Sequence, residues 1–94
     1  MIKEISVEQA KKLLTNPKMV LLDVRTSEEF NETHLNKSIN IDINLPNFEE
    51  KISELDRNQI YLIFCRSGAR STAAMKVMQR LGFKNILCVQ GWIF

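Results

Sequence analysis

The chain is poor in the residues that build metal centres and disulfide scaffolds: two cysteines and one histidine in 94 residues. Two thiols do not make a disulfide framework, and with a single imidazole they make a poor metal site, so no metal and no cofactor is expected. Charge of either sign is barely in excess. A net charge of +2 is too small to argue for nucleic acid or a membrane surface as a partner. No apolar run is long enough to span a bilayer. The opening residues Met1-Ile2-Lys3-Glu4-Ile5 lack the apolar core of a signal peptide. A reducing cytoplasm is therefore the expected location, and a reactive thiol would prefer it. No linker, repeat or low-complexity tract interrupts the chain. Its apolar share of 45% and charged share of 26% are ordinary for a globular protein. The expectation is one small domain over residues 1–94.

What is present is an alternation of strand and helix signals. Residues 2–5 read as a short strand. Ser6 and Gln9 form a capping box ahead of an apolar face made by Val7, Ala10, Leu13 and Leu14. Asn16-Pro17 ends that helix. Residues 19–24 are apolar except for Asp23, which predicts a central strand with a carboxylate at its end. Thr26 and Glu29 form a second capping box before a short helix carrying Phe30. Residues 38–43 predict a third strand, 46–55 a short helix with Phe48, Ile52 and Leu55 on one side, 60–64 a fourth strand and 86–89 a fifth. Alternating elements of this kind imply an α/β domain with a central five-stranded, mostly parallel sheet and helices on both faces. In such sheets ligands bind beyond the carboxyl ends of the strands.

The chemistry gathers after the fourth strand. Tyr61-Leu62-Ile63-Phe64 is an apolar run suited to burial on both faces. Cys65-Arg66-Ser67-Gly68-Ala69-Arg70-Ser71 follows, and then a helical pattern of Ala73, Ala74, Val77, Met78 and Leu81 that stops at Gly82. Small residues at 67–69 let the backbone curl, and Gly68 can take a positive φ without steric cost. A curled loop feeding a helix N-terminus turns several N–H groups inward and makes an anion cradle. The same field favours a thiolate over a thiol, as nearby cations do. Arg66 and Arg70 supply fork-shaped donors suited to oxyanions. The plain alternative is that Cys65 is a small buried hydrophobe at a strand end. Such a residue has no need of two cations and a glycine-bearing loop.

This loop resembles the active-site loop of the rhodanese family, the single-domain sulfurtransferases. Leu22-Asp23-Val24-Arg25 with Glu28-Glu29-Phe30 is similar to the family's first signature, and the run from Thr33 to Ile41 to its second. Thr33 stands where the family has glycine, and Asn36-Lys37-Ser38 replaces its Pro-Gly-Ala. Gln90-Gly91-Trp92 has one glycine where two are common. The resemblance implies that the strands ending at Asp23 and Phe64 are neighbours. It also implies sulfur transfer. On this resemblance Cys65 would take a sulfane sulfur from a small anionic donor, thiosulfate or a persulfide, and pass it to cyanide, a thiol or a sulfur-relay protein. The N–H groups of residues 66–70 would stabilise the Cys65 persulfide, with Arg66 and Arg70 attracting and orienting the donor. Ser67, Gly68 and Ala69 would complete the binding loop.

Two other readings of the loop stand beside this one. Cysteine phosphatases and arsenate reductases place five residues between cysteine and arginine. Here Ser71 holds that position and Arg70 comes one residue early. A rhodanese fold could also serve as a non-catalytic binding module, against which the retained cysteine and arginines argue. Elsewhere, Asp23 and Arg25 read as a loop-bracing pair or as supports of the pocket beside Cys65. His34 reads as structural or exposed, Cys88 as a core residue remote from the strand end, and Trp92 and Phe94 as packing residues.

Overall fold

The apolar stretches become five strands of one sheet, β1 (Ile2–Ile5), β2 (Met19–Asp23), β3 (Ile39–Asn40), β4 (Ile60–Phe64) and β5 (Ile86–Val89), in the spatial order β1-β5-β4-β2-β3. The computed structural model describes residues 1–93, so Phe94 lies outside the described residues. All the pairings are parallel, where the sequence predicted a mostly parallel sheet. Parallel neighbours need crossovers, and helices supply them. These are α1 (Val7–Leu13), α2 (Ser27–Glu32), α3 (Phe48–Ser53) and α4 (Ala69–Arg80). Both predicted capping boxes form. Ser6 and Gln9 exchange hydrogen bonds at the start of α1, and Thr26 and Glu29 do so at the start of α2.

Strand alternation splits the core between the two faces. Tyr61, Ile63 and Cys65 point to one side, with Phe48 and Ile52 of α3 and Ala74 and Met78 of α4. Leu62, Phe64, Leu87 and Val89 point to the other, with Ala10 of α1 and Ile93. Leu62 and Ile63 are both fully buried. Each contributes about 1.5–3 kcal/mol of apolar burial. This is a three-layer α/β domain. Among the described residues no helix is long and apolar enough to cross a membrane.

The third strand is shorter than predicted, two residues instead of six. It is an edge strand, and its continuation bonds to the end of β2 without regular pairing. Ile41 N donates to Asp23 O at 3.0 Å and Ile43 N to Val24 O at 3.2 Å. The Asn40 amide donates to Asp23 O at 3.1 Å and to Arg25 O at 2.9 Å.

The turn before β3 carries local strain. Lys37, where the related family has glycine, adopts φ 67°. A side chain in the left-handed region costs roughly 1–2 kcal/mol, partly offset by the extra unfolded-state freedom a glycine would have. Lys37→Gly is therefore expected to raise stability by up to about 1 kcal/mol. A urea midpoint that rises at constant m would show it. A midpoint that falls would mean that the Lys37 side chain contributes more than its backbone costs.

Candidate active site

The sheet order fixes where the loops meet. β2 and β4 are adjacent, with Asp23 opposite Phe64, and Val24 N donates to Phe64 O at 3.2 Å. The segment carrying Arg25 and the loop opening at Cys65 therefore leave the sheet side by side, where strand order reverses.

Cys65 is fully buried. Its Sγ accepts the Gly68 N–H at 3.1 Å and the Ser71 N–H at 3.4 Å, and Ser71 Oγ lies 3.7 Å away. Gly68 is the N-cap of α4 at φ 94°, the conformation that turns these N–H groups back on the sulfur. A Cβ there would stand 3.2 Å from Gln90 Oε1. Burial pushes the Cys65 thiol up, but the Ser71 N–H and hydroxyl, with the Gly68 and Ser67 N–H groups, hold it below the usual thiol range. The donors around the sulfur are thus backbone N–H groups at a helix N-terminus.

Both loop arginines meet a carboxylate of the protein itself. Arg70 makes a two-pronged ion pair with Glu29, at 2.6 and 3.1 Å. Arg66 Nε lies 3.3 Å from the same carboxylate, with 57% of its side chain exposed. Charge attraction within the protein turns both forks toward α2. Ser67 and Ala69 are exposed, and Gly68 is buried.

Asp23 and Arg25 form a fully buried ion pair, with Arg25 Nη2 at 2.7 Å from Asp23 Oδ2 and Nε at 3.0 Å from both carboxylate oxygens. Arg25 N donates to Asp23 Oδ1 at 2.9 Å, and Arg25 Nη2 to Thr33 O at 2.7 Å. Arg25 thereby ties the end of β2 to the end of α2. Its Nη1 has no hydrogen-bond partner among the described residues, and the guanidinium lies 4.4 Å from the Trp92 ring centroid. Arg66 approaches the same ring at 5.6 Å. Trp92 is thus a platform between the two loops rather than a packing residue only.

Cys88 is buried in β5, as expected, but it is not remote from the site. Its Sγ donates to Ser71 Oγ at 3.4 Å, so one hydroxyl touches both thiols. Gln90 Nε2 donates to the Cys88 sulfur at 3.4 Å. Ser71 also donates to Gly68 O at 3.0 Å, bracing the loop. His34 is exposed, stacked on Phe30 at 3.9 Å and bonded through Nδ1 to Phe30 O near the end of α2. Among the described residues no group of histidine, cysteine and carboxylates could hold a metal.

Ser71, Glu29 and Trp92 belong to this site and were missed as site residues from sequence. Ser71 had a signal, since it directly follows the loop's last arginine. Glu29 was already accounted for by its capping box, which hid its second partner set. Trp92 comes from the far end of the chain, and only the fold brings it here.

The arrangement turns the Gly68 and Ser71 N–H groups onto the Cys65 sulfur. The Bacillus subtilis protein named "Putative sulfur carrier protein YrkF" is 36% identical over 89 residues, which cover 94% of this chain and 47% of that protein. "Putative sulfurtransferase YtwF" of the same organism is 35% identical over 86 residues, 90% of this chain and 82% of that protein. The chain thus spans less than half the length of YrkF and most of YtwF. The crystal structure of a rhodanese-related protein from Thermoplasma volcanium superposes with a TM-score of 0.83 at 32% identity, over 97% of this chain and 86% of that one. The rhodanese-like domain pattern matches residues 6–92, and with that match, the sheet order and the loop after β4, the chain belongs to the rhodanese-like domain family.

Proposed function

We propose that this domain is a sulfurtransferase working through a persulfide on Cys65. The observation that carries the reading is the cradle: Sγ is the acceptor of the Gly68 and Ser71 N–H groups at the start of α4. The Cys65 thiolate attacks the outer sulfur of a donor such as thiosulfate. The sulfur–sulfur bond of the donor breaks, sulfite leaves with the electron pair, and Cys65 carries the transferred sulfur. An acceptor, cyanide or a thiol, then attacks that sulfur and returns the thiolate. No general base is needed, because the N–H field maintains the anion. Cys65 has no exposed surface, so transfer requires a local opening around Sγ. The names of YrkF and YtwF support a role in sulfur handling, with a sulfur-relay protein as partner. Both thiols are free, which suits a reducing, cytoplasmic setting.

Mass spectrometry after treatment with thiosulfate, and in parallel with a small-molecule persulfide, tests the reading. One added sulfur atom on a peptide containing Cys65, removed by cyanide, is the expected result with at least one of the two donors. A Cys65 left unmodified by both would leave the binding-module reading, and turnover of aryl phosphate the phosphatase one. The rate should also carry the lowered thiol pKa. Since the thiolate is the reactive form, kcat/KM is expected to fall as pH drops through a value below the ordinary thiol range. A rise centred at or above ~8.5 would show an unassisted thiol.

A further inference from the structure

The two loop arginines already have an anion. Glu29 accepts from Arg70 Nη1 and Nη2 at 2.6 and 3.1 Å, and lies 3.3 Å from Arg66 Nε. The same carboxylate oxygen that meets Arg70 Nη1 also accepts from Thr26 N and Oγ1, at 3.1 Å each. The Arg70 hydrogen bond, against partial burial and with help from Thr26, lowers the Glu29 carboxyl to about 2. Glu29 therefore stays charged wherever Cys65 is a thiolate.

The formal charges cancel. The Cys65 thiolate and Glu29 are negative, Arg66 and Arg70 positive, and the buried Asp23–Arg25 pair is neutral as a whole. A donor with two negative charges meets N–H groups but little net positive field. To reach either guanidinium it must displace or sit beside a seated carboxylate, and like charges a few ångströms apart repel.

We infer that Glu29 sets the donor class: by occupying Arg66 and Arg70 it disfavours small dianionic donors such as thiosulfate and selects the persulfide of a thiol, whose sulfane sulfur carries one charge or none. The inference rests on the sulfur-transfer reading. The Cys65 thiolate attacks the outer sulfur of R–S–SH. The new sulfur–sulfur bond forms as the old one breaks, R–S⁻ departs with the electron pair, and the proton stays on the transferred sulfur. No oxidant or reductant is needed. Glu29 touches neither reacting atom, and acts as a positioning residue through the two arginines.

Glu29→Gln is the test, because glutamine can keep the cap of α2, as Gln9 keeps that of α1 by accepting from Ser6 N at 2.9 Å. The assay measures kcat/KM for thiosulfate and for the persulfide of 2-mercaptoethanol, on both proteins, at low and high salt. The ratio of the thiosulfate value to the persulfide value is expected to rise about tenfold or more. The thiosulfate gain should shrink at ~1 M salt, where screening reaches about 3 Å. Equal changes for both donors, or no thiosulfate gain, would overturn the inference, since a merely structural residue moves both together. A persulfidated cysteine peptide run alongside tells a peptide-borne donor from a free one, and preference for either supports the assignment.

Thiosulfate titration of Cys65→Ser and of Cys65→Ser/Glu29→Gln reads the charge competition without any sulfur transfer. Binding about tenfold tighter to the double variant supports the role of Glu29. Equal affinity overturns it. Tighter binding with no transfer from any donor in either catalytic protein would instead remove the sulfur-transfer reading, and the donor assignment with it.

Discussion

Replacing Cys65 by serine is expected to lower thiosulfate-to-cyanide turnover by about 10³-fold or more, while the melting temperature moves by less than ~8 °C. The two halves have separate causes. A serine hydroxyl is not ionised at neutral pH and cannot carry a sulfane sulfur, so the covalent step is lost. The oxygen can still accept the Gly68 and Ser71 N–H groups, so the loop and the start of α4 keep their bonds. Burial is also unchanged, because the swap is nearly isosteric. Thiosulfate kinetics and a melting curve on the same preparation decide it. Substantial turnover by the folded variant would remove Cys65 as the nucleophile and leave Cys88, which shares the Ser71 hydroxyl, as the thiol to examine.

The second large effect is on stability. Asp23→Ala is expected to cost about 3–5 kcal/mol, the usual cost of stripping a buried ion pair of one partner. Arg25 would keep its charge with no exposed surface and without the carboxylate that accepts from its Nε and Nη2. Its remaining hydrogen-bond partner would be Thr33 O. Replacing both partners with apolar residues should recover much of the loss, because a buried pair contributes little net stability over well-packed apolar side chains. Urea unfolding of Asp23→Ala and of Asp23→Ala/Arg25→Met measures this. A single variant as stable as the parent would show that the pair shapes the pocket without bracing the fold.

Much of this architecture was legible because local rules and the fold agree. Ser6/Gln9 and Thr26/Glu29 read as capping boxes and are capping boxes. The run from Ile60 to Phe64 carries no polar residue, and it became a central strand buried on both faces. Gly68 read as a positive-φ position and is one. The misreadings occur where distant contacts override local pattern. Residues 38–43 alternate like a strand, yet bonds to the end of β2 break the regular pairing after Asn40. The pairing of Arg66 and Arg70 with Glu29 was not legible, because Glu29 is far away in sequence and no local spacing announces it. Cys88 read as remote because the parallel register beside β4 is a property of the sheet, with Ile63 opposite Cys88.

The strand order also governs how the domain comes together in time. Among the described residues β1 pairs only with β5, Ile2 opposite Ile86 and Ile5 opposite Val89, so the first strand of this sheet waits for its fifth. The β2–β4 pair can form earlier, and with it the loop that presents Cys65. Until residues 86–89 emerge, however, β4 has an unpaired edge and β1 has no partner. Contacts this far apart in sequence require costly loop closure before they stabilise anything, which slows folding. Unpaired edges in that interval invite pairing with another chain. Slow completion of the sheet, rather than weak packing once it is complete, is therefore where crowding during synthesis would divert this chain into aggregates.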